Sequence, residues 1–444
     1  MANILLLFIT LEILLIPCSC STIITLPLAH FLPNPSSSSS PLQILNSLIS
    51  TSLARSKLLK SPISTPLYTH SYGAYSTSLS LGTPPQTIPF LLQTSTDLTW
   101  LPCTHKYLCK NCTSPSSITF IPKASSSSRF LPCLNPKCGW FHDTDASSRC
   151  QDCLLPDVTN CTQLCPPYII SSASGYTGGV FLTETLDLTP QQQFQQFIIG
   201  CSLFSSNEPA GVIGLGRGLA SLPNQLRLSK FSYCLLSHKF DDSSKTSDLL
   251  LFLGPTNSTQ KTNNLSYVHF SRNPTFPNYY YLPLRKITVG GRRVKIPYKY
   301  ITTQTDGSGG TIIDSGSAFS TMAGEVFTAV SSEFVNQAAQ RIIRDTELET
   351  KTGLTPCFNV SGSQAMSFPE MSFYFKGGAK MTLPLANYLS FMGESNEAVC
   401  LTLLKDDSVT AGGPSVILGN YQMQNFYAEF DLQNDRFGFK PQNC

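Results

Sequence analysis

Two stretches of the chain share one pattern, in which a run of apolar strand-forming residues stops at a polar turn. The first is residues 90–100, FLLQTSTDLTW, and the second is residues 310–321, GTIIDSGSAFST. Each pattern predicts a buried β-strand that delivers a short polar turn to the interior of a domain. The turns are QTS at 93–95 and DSG at 314–316. Because the plan occurs once in each half, the pattern indicates an internal duplication.

The surrounding residues extend this duplication. Alternating residues at 75–82 and 87–92 predict a hairpin that leads into the first turn. The strand pattern at 279–289 plays the corresponding part in the second half, and apolar spacing over 322–340 predicts a helix that leaves the second turn. An apolar-apolar-Gly element also occurs once in each half, as Val212-Ile213-Gly214 and Ile417-Leu418-Gly419.

Composition narrows the class of protein. The chain has 444 residues, 41% hydrophobic and only 13% charged, which is enough for two domains with sizeable cores. Its 31 Pro and 28 Gly, together with many strand-formers, favour a mainly β structure. The net charge of +3 is scattered, and the one basic cluster, Arg292-Arg293, follows two glycines and is expected to be a solvated hairpin turn. A nucleic-acid partner is therefore not indicated.

The N-terminal residues predict export. An apolar run at 4–16 is followed by small residues at 17–20, so residues 1–20 are interpreted as a signal peptide, with a signal anchor as the alternative. Residues 21–70 are rich in Ser and Pro and cannot bury enough apolar surface to fold alone. They contain one helix-like piece at 42–60, and they are either a pro-segment or a simple leader.

The cysteines indicate an oxidising compartment. Sixteen are present, and removal of the signal peptide leaves an even fourteen, nine of them between Cys103 and Cys165. Two CxxC spacings, at 109/112 and 150/153, raise the alternatives of a zinc site or a redox dithiol. Structural disulfides are the favoured reading, and neither a metal nor a cofactor is expected. Five glycosylation sequons are consistent with export: Asn111, Asn160, Asn257, Asn264 and Asn359.

The second turn carries a family resemblance. Its residues, TIIDSG, match the hydrophobic-hydrophobic-Asp-(Thr/Ser)-Gly motif of pepsin-type aspartic proteases. The DLTWLPC run at 97–103 and the Cys-rich insert at 103–165 resemble the nepenthesin-type plant enzymes. The resemblance covers about residues 71–444 and implies an all-β, bilobal pepsin-like fold with a central cleft and a few short helices. We expect an N-terminal lobe at 71–270 and a C-terminal lobe at 271–444.

The same resemblance assigns the site residues. It implies that Asp314 is a catalytic carboxyl, whereas Gln93 occupies the position of the partner Asp and Ser95 that of a Gly. Thr94, with Ser315 and Gly316, completes the active-site turns. In nepenthesin-type enzymes a Tyr-Gly-Asp-Gly-Ser turn forms a flap over the site. Here the corresponding residues are Ser171, Ser172, Ala173, Ser174 and Gly175, and Tyr168 or Tyr176 could supply the tyrosine only from a shifted register.

These departures change the expected chemistry. An aspartic protease uses two carboxyls that share one proton and activate one water, and a carboxamide can play neither titrating part. Loss of one acid-base group forfeits roughly 10²–10⁴-fold in rate. The leading hypothesis is a secreted aspartic-protease-like protein that is catalytically impaired and keeps a cleft for a peptide or protein ligand.

Two other functions stay open. One is an aspartic endopeptidase that cleaves peptide bonds at acidic pH, and the other is a storage or inhibitor-type glycoprotein. In each case we expect a monomer with no membrane association after signal cleavage. The expected location is the cell wall or apoplast, with the vacuole as the alternative destination.

Overall fold

A computed structural model describes most of the chain. The described residues are 22–31, 41–60, 73–110, 112, 118–142, 149–150, 153, 161–171, 176–206, 210–237, 247–255, 264–338, 342–361, 367–392, 397–407 and 412–444. The predicted signal peptide lies outside them, as do residues 172–175 of the predicted flap turn.

Strands dominate both halves, as the alternating apolar pattern predicts. In the first half they are β1 Thr22–Phe31, β2 Ala74–Leu81, β3 Gln86–Gln93, β4 Trp100–Pro102, β5 Leu108–Lys110, β6 Arg129–Phe130, β7 Tyr168–Ser171, β8 Tyr176–Thr189, β9 Gln192–Ser206, β10 Gly211–Gly214, β11 Leu228–Cys234, β12 Ser247–Leu253 and β13 Ser266–His269.

The second half of the chain also consists mainly of short strands. Its strands are β14 Tyr280–Leu282, β15 Leu284–Val289, β16 Arg292–Arg293, β17 Thr311–Ile313, β18 Ser320–Ala323, β19 Ile343–Arg344, β20 Cys357–Asn359, β21 Met371–Phe375, β22 Lys380–Thr382, β23 Leu389–Met392, β24 Ala398–Leu401, β25 Leu403–Asp406, β26 Val416–Leu418, β27 Phe426–Asp431 and β28 Arg436–Pro441.

Helices are few and mostly short. They are α1 Pro41–Leu59, α2 Gly139–His142, α3 Leu222–Gln225, α4 Tyr298–Ile301, α5 Gly324–Ala338 and α6 Thr346–Thr352, with 3₁₀ turns at Pro122–Ala124, Pro136–Cys138, Leu385–Asn387 and Tyr421–Met423. Helix α5 confirms the helix predicted after the second turn, and it buries Val326, Phe327, Val330 and Phe334 on one face. Within the described residues, no helix is both long and apolar enough to cross a membrane.

One large sheet joins the two halves. In the described residues it has 15 strands, and its main path runs β13-β28-β27-β11-β12-β1-β2-β3-β10-β4-β9-β8-β6. Strands β27 and β28, from the C-terminal end, therefore pair beside strands of the first half. The remaining sheets have five strands (β14-β17-β26-β18-β25) and four strands each (β16-β15-β21-β22 and β19-β20-β24-β23). The predicted Gly-Gly hairpin is confirmed, with Arg292 and Arg293 exposed.

Strand β1 was missed in the sequence because it lies in a segment whose overall composition is that of a leader. Its residues nevertheless alternate, with Ile24, Leu26 and Leu28 buried and the residues between them exposed. Residues 22–28 pair with β12 and residues 29–31 pair with β2, so the segment is a full member of the large sheet. Residues 22–31 are therefore ordered by their pairing with β12 and β2 and not by a core of their own.

Candidate functional site

The structure brings the two polar turns together. Strand β3 pairs in parallel with β10 and ends at Gln93, and β17 pairs in parallel with β26 and ends just before Asp314. The apolar-apolar-Gly elements therefore run beside the turns in both halves. Gly214 is required there because an added Cβ would lie 2.1 Å from the carbonyl oxygen of Asp97.

Reciprocal hydrogen bonds join the turns. The backbone N–H of Thr94 donates to Oγ of Ser315 at 3.2 Å, and the N–H of Ser315 donates to Oγ1 of Thr94 at 3.0 Å. Each hydroxyl also donates to a carbonyl of the opposite strand, Thr94 to Ile313 and Ser315 to Leu92. These four bonds place residues 93 and 314 in equivalent positions, as the duplicated pattern predicts.

Asp314 is fully buried, and its carboxylate accepts hydrogen bonds from several neighbouring groups. Its carboxylate accepts hydrogen bonds from the hydroxyl of Ser317 at 2.6 Å, the hydroxyl of Ser95 at 2.8 Å and the N–H of Gly316 at 3.2 Å. Its most important partner is the guanidinium of Arg55. Burial by itself would raise the pKa of Asp314, but the charge of Arg55 and the donated hydrogen bonds outweigh burial and hold the pKa below its ordinary value.

Arg55 is the site residue that the sequence did not reveal. It lies on α1, has no exposed surface, and is 259 residues from Asp314 in the chain. Its Nη2 donates to Oδ1 of Asp314 at 2.9 Å and to Oγ of Ser95 at 2.7 Å, while Nε donates to Oδ2 of Asp314. Both Nη1 and Nη2 lie 3.3 Å from Oε1 of Gln93. The guanidinium thus lies between the two turns, in contact with both halves of the protein.

Helix α1 is held over the site by apolar packing and by polar contacts. Leu45, Leu48 and Ile49 pack with Phe319 and Tyr421 in one buried cluster. Ser52 accepts a hydrogen bond at 3.0 Å from the N–H of Phe319. These side chains and Arg55 follow helical spacing on one face of α1. The signal in the sequence is an arginine at the spacing of the apolar face of a predicted helix. Because that face is expected to be buried, such an arginine indicates an acidic partner elsewhere in the chain.

A second ion pair fixes the C-terminal end of the helix. The Nζ of Lys60 lies 2.8 Å from Oδ2 of Asp406, and both side chains are almost fully buried. The hydroxyl of Ser56 donates to the same carboxylate oxygen. Because Asp406 ends β25 in the second half of the protein, α1 is anchored to that half both by apolar side chains and by charge.

The predicted flap residues Ser171 and Tyr176 lie on the hairpin formed by β7 and β8. Ser171 and Tyr176 form the last pair of the β7–β8 hairpin before its connecting residues, which lie outside the described part of the chain. The exposed ring of Tyr176 contacts Phe204, with 5.9 Å between the ring centroids. Tyr168 is buried against Phe181 with ring centroids 5.0 Å apart. Both tyrosine rings therefore pack on side chains of the first half.

The fourteen cysteines within the described residues form disulfides. The pairs are Cys103–Cys201, Cys109–Cys112, Cys133–Cys150, Cys138–Cys165, Cys153–Cys161, Cys234–Cys444 and Cys357–Cys400. One CxxC spacing closes on itself, whereas the two members of the other bind different partners. In the part of the chain that the structure describes, no group of His, Cys, Asp and Glu side chains could hold a metal ion.

Asp97 lies four residues after Gln93 but serves another element. Its Oδ1 accepts the N–H of Gly218 at 2.8 Å, and added Cβ atoms at Gly216 or Gly218 would collide with its carboxylate. It borders a cavity of about 700 Å³ that Trp140 and Tyr279 also line. Burial raises the pKa of Asp97 to about 7, against the opposing effect of the Gly218 hydrogen bond. Asp97 therefore does not replace the missing carboxyl at position 93.

This raised pKa predicts a pH effect on stability. The folded state binds a proton at Asp97 more tightly than the unfolded state, so stability is expected to fall as pH rises from about 4 to about 7. Asp97→Asn should flatten that part of the profile when the melting temperature is measured across this range. Asp306→Asn is the control, since Asp306 is exposed and its pKa is lowered rather than raised. Parallel profiles for Asp97→Asn and the native chain would contradict the assignment.

Two halves that each supply a buried polar turn and a threaded apolar-apolar-Gly strand define a bilobal pepsin-like protein. Solved structures agree on this fold. The crystal structure of edgp has a TM-score of 0.66 at 18% identity, and that of basic 7S globulin from soybean has a TM-score of 0.60 at 17% identity. Each comparison covers 95% of both chains.

Sequence comparison identifies the family. Residues 75–254 match the family model described as xylanase inhibitor N-terminal, and residues 279–441 match xylanase inhibitor C-terminal. A probable aspartyl protease of Arabidopsis thaliana is 31% identical, with 96% of this chain and 94% of that protein covered. Aspartic proteinase nepenthesin-2 of Nepenthes gracilis is 32% identical, with 86% and 81% covered. The chain belongs to the nepenthesin-type group of plant pepsin-like aspartic proteases.

Proposed function

We propose that this protein is a secreted, catalytically impaired member of its family that acts through binding. The observation that carries the proposal is the guanidinium of Arg55, which bridges Asp314 and Gln93. In an active member of the family this place between the turns would have to admit a water and the scissile carbonyl of a substrate. Here a side chain of the same chain fills it.

The groups present cannot carry the proton transfers of the reaction. Hydrolysis needs one group that accepts a proton from water and another that protonates the leaving amine. Arginine stays protonated throughout the accessible pH range, and the carboxamide of Gln93 neither gains nor loses a proton there. Asp314 alone could accept a proton, but its ion pair with Arg55 lowers its pKa and makes it a weak base.

The cleft residues that remain favour a role in binding. Apolar side chains around Phe319 and Tyr421 pack against α1. Asp314 pairs with Arg55 of the helix, and Asp406 pairs with Lys60, the residue that follows it. The partner that this surface fits is a polypeptide segment, and α1 is its intramolecular occupant. Export is supported by the predicted signal peptide and by the fourteen cysteines found in disulfides.

A second candidate is an acid endopeptidase of low activity that works once residues 21–70 have been displaced. The reciprocal hydrogen bonds between Thr94 and Ser315 favour it, since they keep the two turns in register. The protease names of the relatives agree with this candidate. It would still have to work with a single carboxyl between the turns.

The deciding measurement is hydrolysis of a denatured-protein mixture between about pH 2 and pH 6 by the purified, disulfide-intact protein. We expect no cleavage above that of an Asp314→Asn control. Gln93→Asp with Ser95→Gly should bring no gain while Arg55 is present, and a gain only when Arg55→Ala is added. Cleavage by the native chain that is lost in Asp314→Asn would overturn the proposed function and establish the endopeptidase.

A further inference from the structure

We propose that Gln93, Ser95 and Asp314 form a binding site for the guanidinium group of an arginine side chain carried on a helix. This inference rests on the proposed function, because it assigns a ligand class to a site that no longer performs hydrolysis. It gives a positive role to the two residues that depart from the protease motif.

Arg55 binds Asp314 in a fork geometry, with two parallel hydrogen bonds to one carboxylate. Arg55 donates from Nε to one carboxylate oxygen and from Nη2 to the other. Two parallel donors on a planar group match the two oxygens of a carboxylate, a fit that a lysine ammonium cannot reproduce. With both side chains fully buried, this pairing also balances one positive charge against one negative charge.

The two positions that depart from the protease motif, 93 and 95, both supply acceptors to the guanidinium. Gln93 supplies Oε1 as an acceptor 3.3 Å from both Nη atoms, and Ser95 supplies Oγ at 2.7 Å from Nη2. The Ser95 hydroxyl in turn donates to Oδ1 of Asp314 at 2.8 Å, so it links ligand and carboxylate. The Gly of the family motif at 95 would remove one acceptor. An Asp at 93 would add a second negative charge that a single guanidinium does not balance.

Gly316 leaves space for the planar guanidinium beside the second turn. An added Cβ at Gly316 would lie 2.6 Å from Cζ and from Nη2 of Arg55. The guanidinium therefore lies close against the backbone of the second turn. Every nitrogen of the group has an acceptor in the site, since Nε and Nη2 reach Asp314 and Nη1 reaches Gln93.

The presentation of Arg55 restricts the ligand further. Leu48 and Ile49 lie on the same face of α1 as Arg55 and pack into the cluster around Phe319. An amphipathic helix that fills an apolar groove with anchors three, four and seven residues apart is a common mode of peptide recognition. The ligand is thus an arginine on an amphipathic helix, and α1 is the occupant within the same chain.

The test uses the exported full chain with Arg55→Ala, which leaves the site without its guanidinium. The probes are ethylguanidinium and ethylammonium, and the readout is the change in melting temperature over a concentration series at neutral pH. We expect ethylguanidinium to stabilise Arg55→Ala and to bind it about tenfold or more tightly than ethylammonium. The native chain should show no such stabilisation, because Arg55 occupies the site.

Matched variants connect the response to the named residues. Adding Ser95→Ala or Gln93→Leu to Arg55→Ala should weaken ethylguanidinium binding, since each removes an acceptor. Equal stabilisation by the two probes, or no stabilisation beyond that of the native chain, would overturn the proposal. Hydrolytic activity does not enter this readout, so failure of the proposed function and failure of the guanidinium site give different results.

A second variant covers the case in which Arg55→Ala does not fold. Arg55→Lys keeps the charge but loses the fork, and we expect it to speed tryptic cleavage at Lys57 of α1 several-fold. Native-like protection in Arg55→Lys alone would count against selectivity for guanidinium.

Discussion

Replacement of Asp314 by alanine is expected to destabilise the protein by about 3–5 kcal/mol, because it leaves the buried guanidinium of Arg55 without a counter-charge. Both side chains are completely buried, so water cannot take over the lost interaction without movement of α1. The effect should be measured as the shift of the urea unfolding midpoint at neutral pH, alongside tryptic cleavage at Lys57. Undocking of α1 would appear in the second measurement even where the body of the protein stays folded.

The matched control is Arg55→Ala combined with Asp314→Ala. Removal of both charges should cost less than the sum of the two single replacements, since neither charge is then left buried alone. Asp314→Asn provides a milder variant that keeps an acceptor oxygen in the site. A loss of less than about 1 kcal/mol in Asp314→Ala would indicate an ion pair that solvent already screens, contrary to the enclosed contact described above.

Acidification should spare this ion pair over the range in which most carboxylates titrate. The pKa of Asp314 is lowered, so its contribution to stability is present above its ordinary value and is lost only as pH falls through the lowered folded-state value. Docking of α1 through Asp314 is therefore compatible with the mildly acidic conditions of the proposed extracellular location.

Gly214→Ala is expected to destabilise the protein by about 3 kcal/mol or more, at the upper end of the range for overpacked cores. The added Cβ would lie 2.1 Å from the carbonyl oxygen and 2.4 Å from the carbonyl carbon of Asp97. These are backbone atoms, and Gly214 is held in place by its pairing with Gln93 on β3. Relief of the clash would have to separate the threaded strand from the first turn.

Gly139→Ala is the matched control, because a Cβ at Gly139 would meet no atom within 4 Å. Its effect should stay within about 0.5 kcal/mol. Gly419→Ala tests the equivalent element of the second half, where the new Cβ would lie 2.6 Å from the carbonyl carbon of Phe319. Melting temperatures of the three variants, with secreted yield where folding fails, provide the comparison. A native-like Gly214→Ala would contradict the threaded arrangement.

Much of the scaffold could be predicted because its signals are local. The apolar runs that end at Gln93 and Asp314 form β3 and β17, and the apolar spacing after the second turn forms α5. Duplication of the plan, rather than any single motif, identified the bilobal fold and the equivalence of the two turns. The lobe boundary at about residue 270 and the impaired chemistry stay predictions, and the hydrolysis measurement tests the second of them.

Other features depend on contacts between residues far apart in the chain. Cysteine counting predicts oxidation but cannot predict that Cys150 pairs with Cys133 while Cys153 pairs with Cys161. Strand β1 is stable only because β12 and β2 lie on either side to satisfy its backbone hydrogen bonds. Composition alone therefore suggests an unstructured leader where the protein has an integral strand.

The role of Arg55 at the site also depends on contacts that the sequence does not reveal. Its position in the sequence, on an amphipathic helix of the leader, indicates at most that a basic side chain shares the apolar face. That position 93 carries a carboxamide instead of a carboxyl could be read from the sequence, because residue identity does not depend on where the turn lies. The position of a guanidinium between the two turns could not be predicted, because it depends on the pairing of Arg55 with a buried carboxylate 259 residues away in the chain. The sequence alone determines which side chains the two turns carry. Which group lies between the turns is decided by the tertiary structure, because it depends on long-range packing and on the pairing of buried charges.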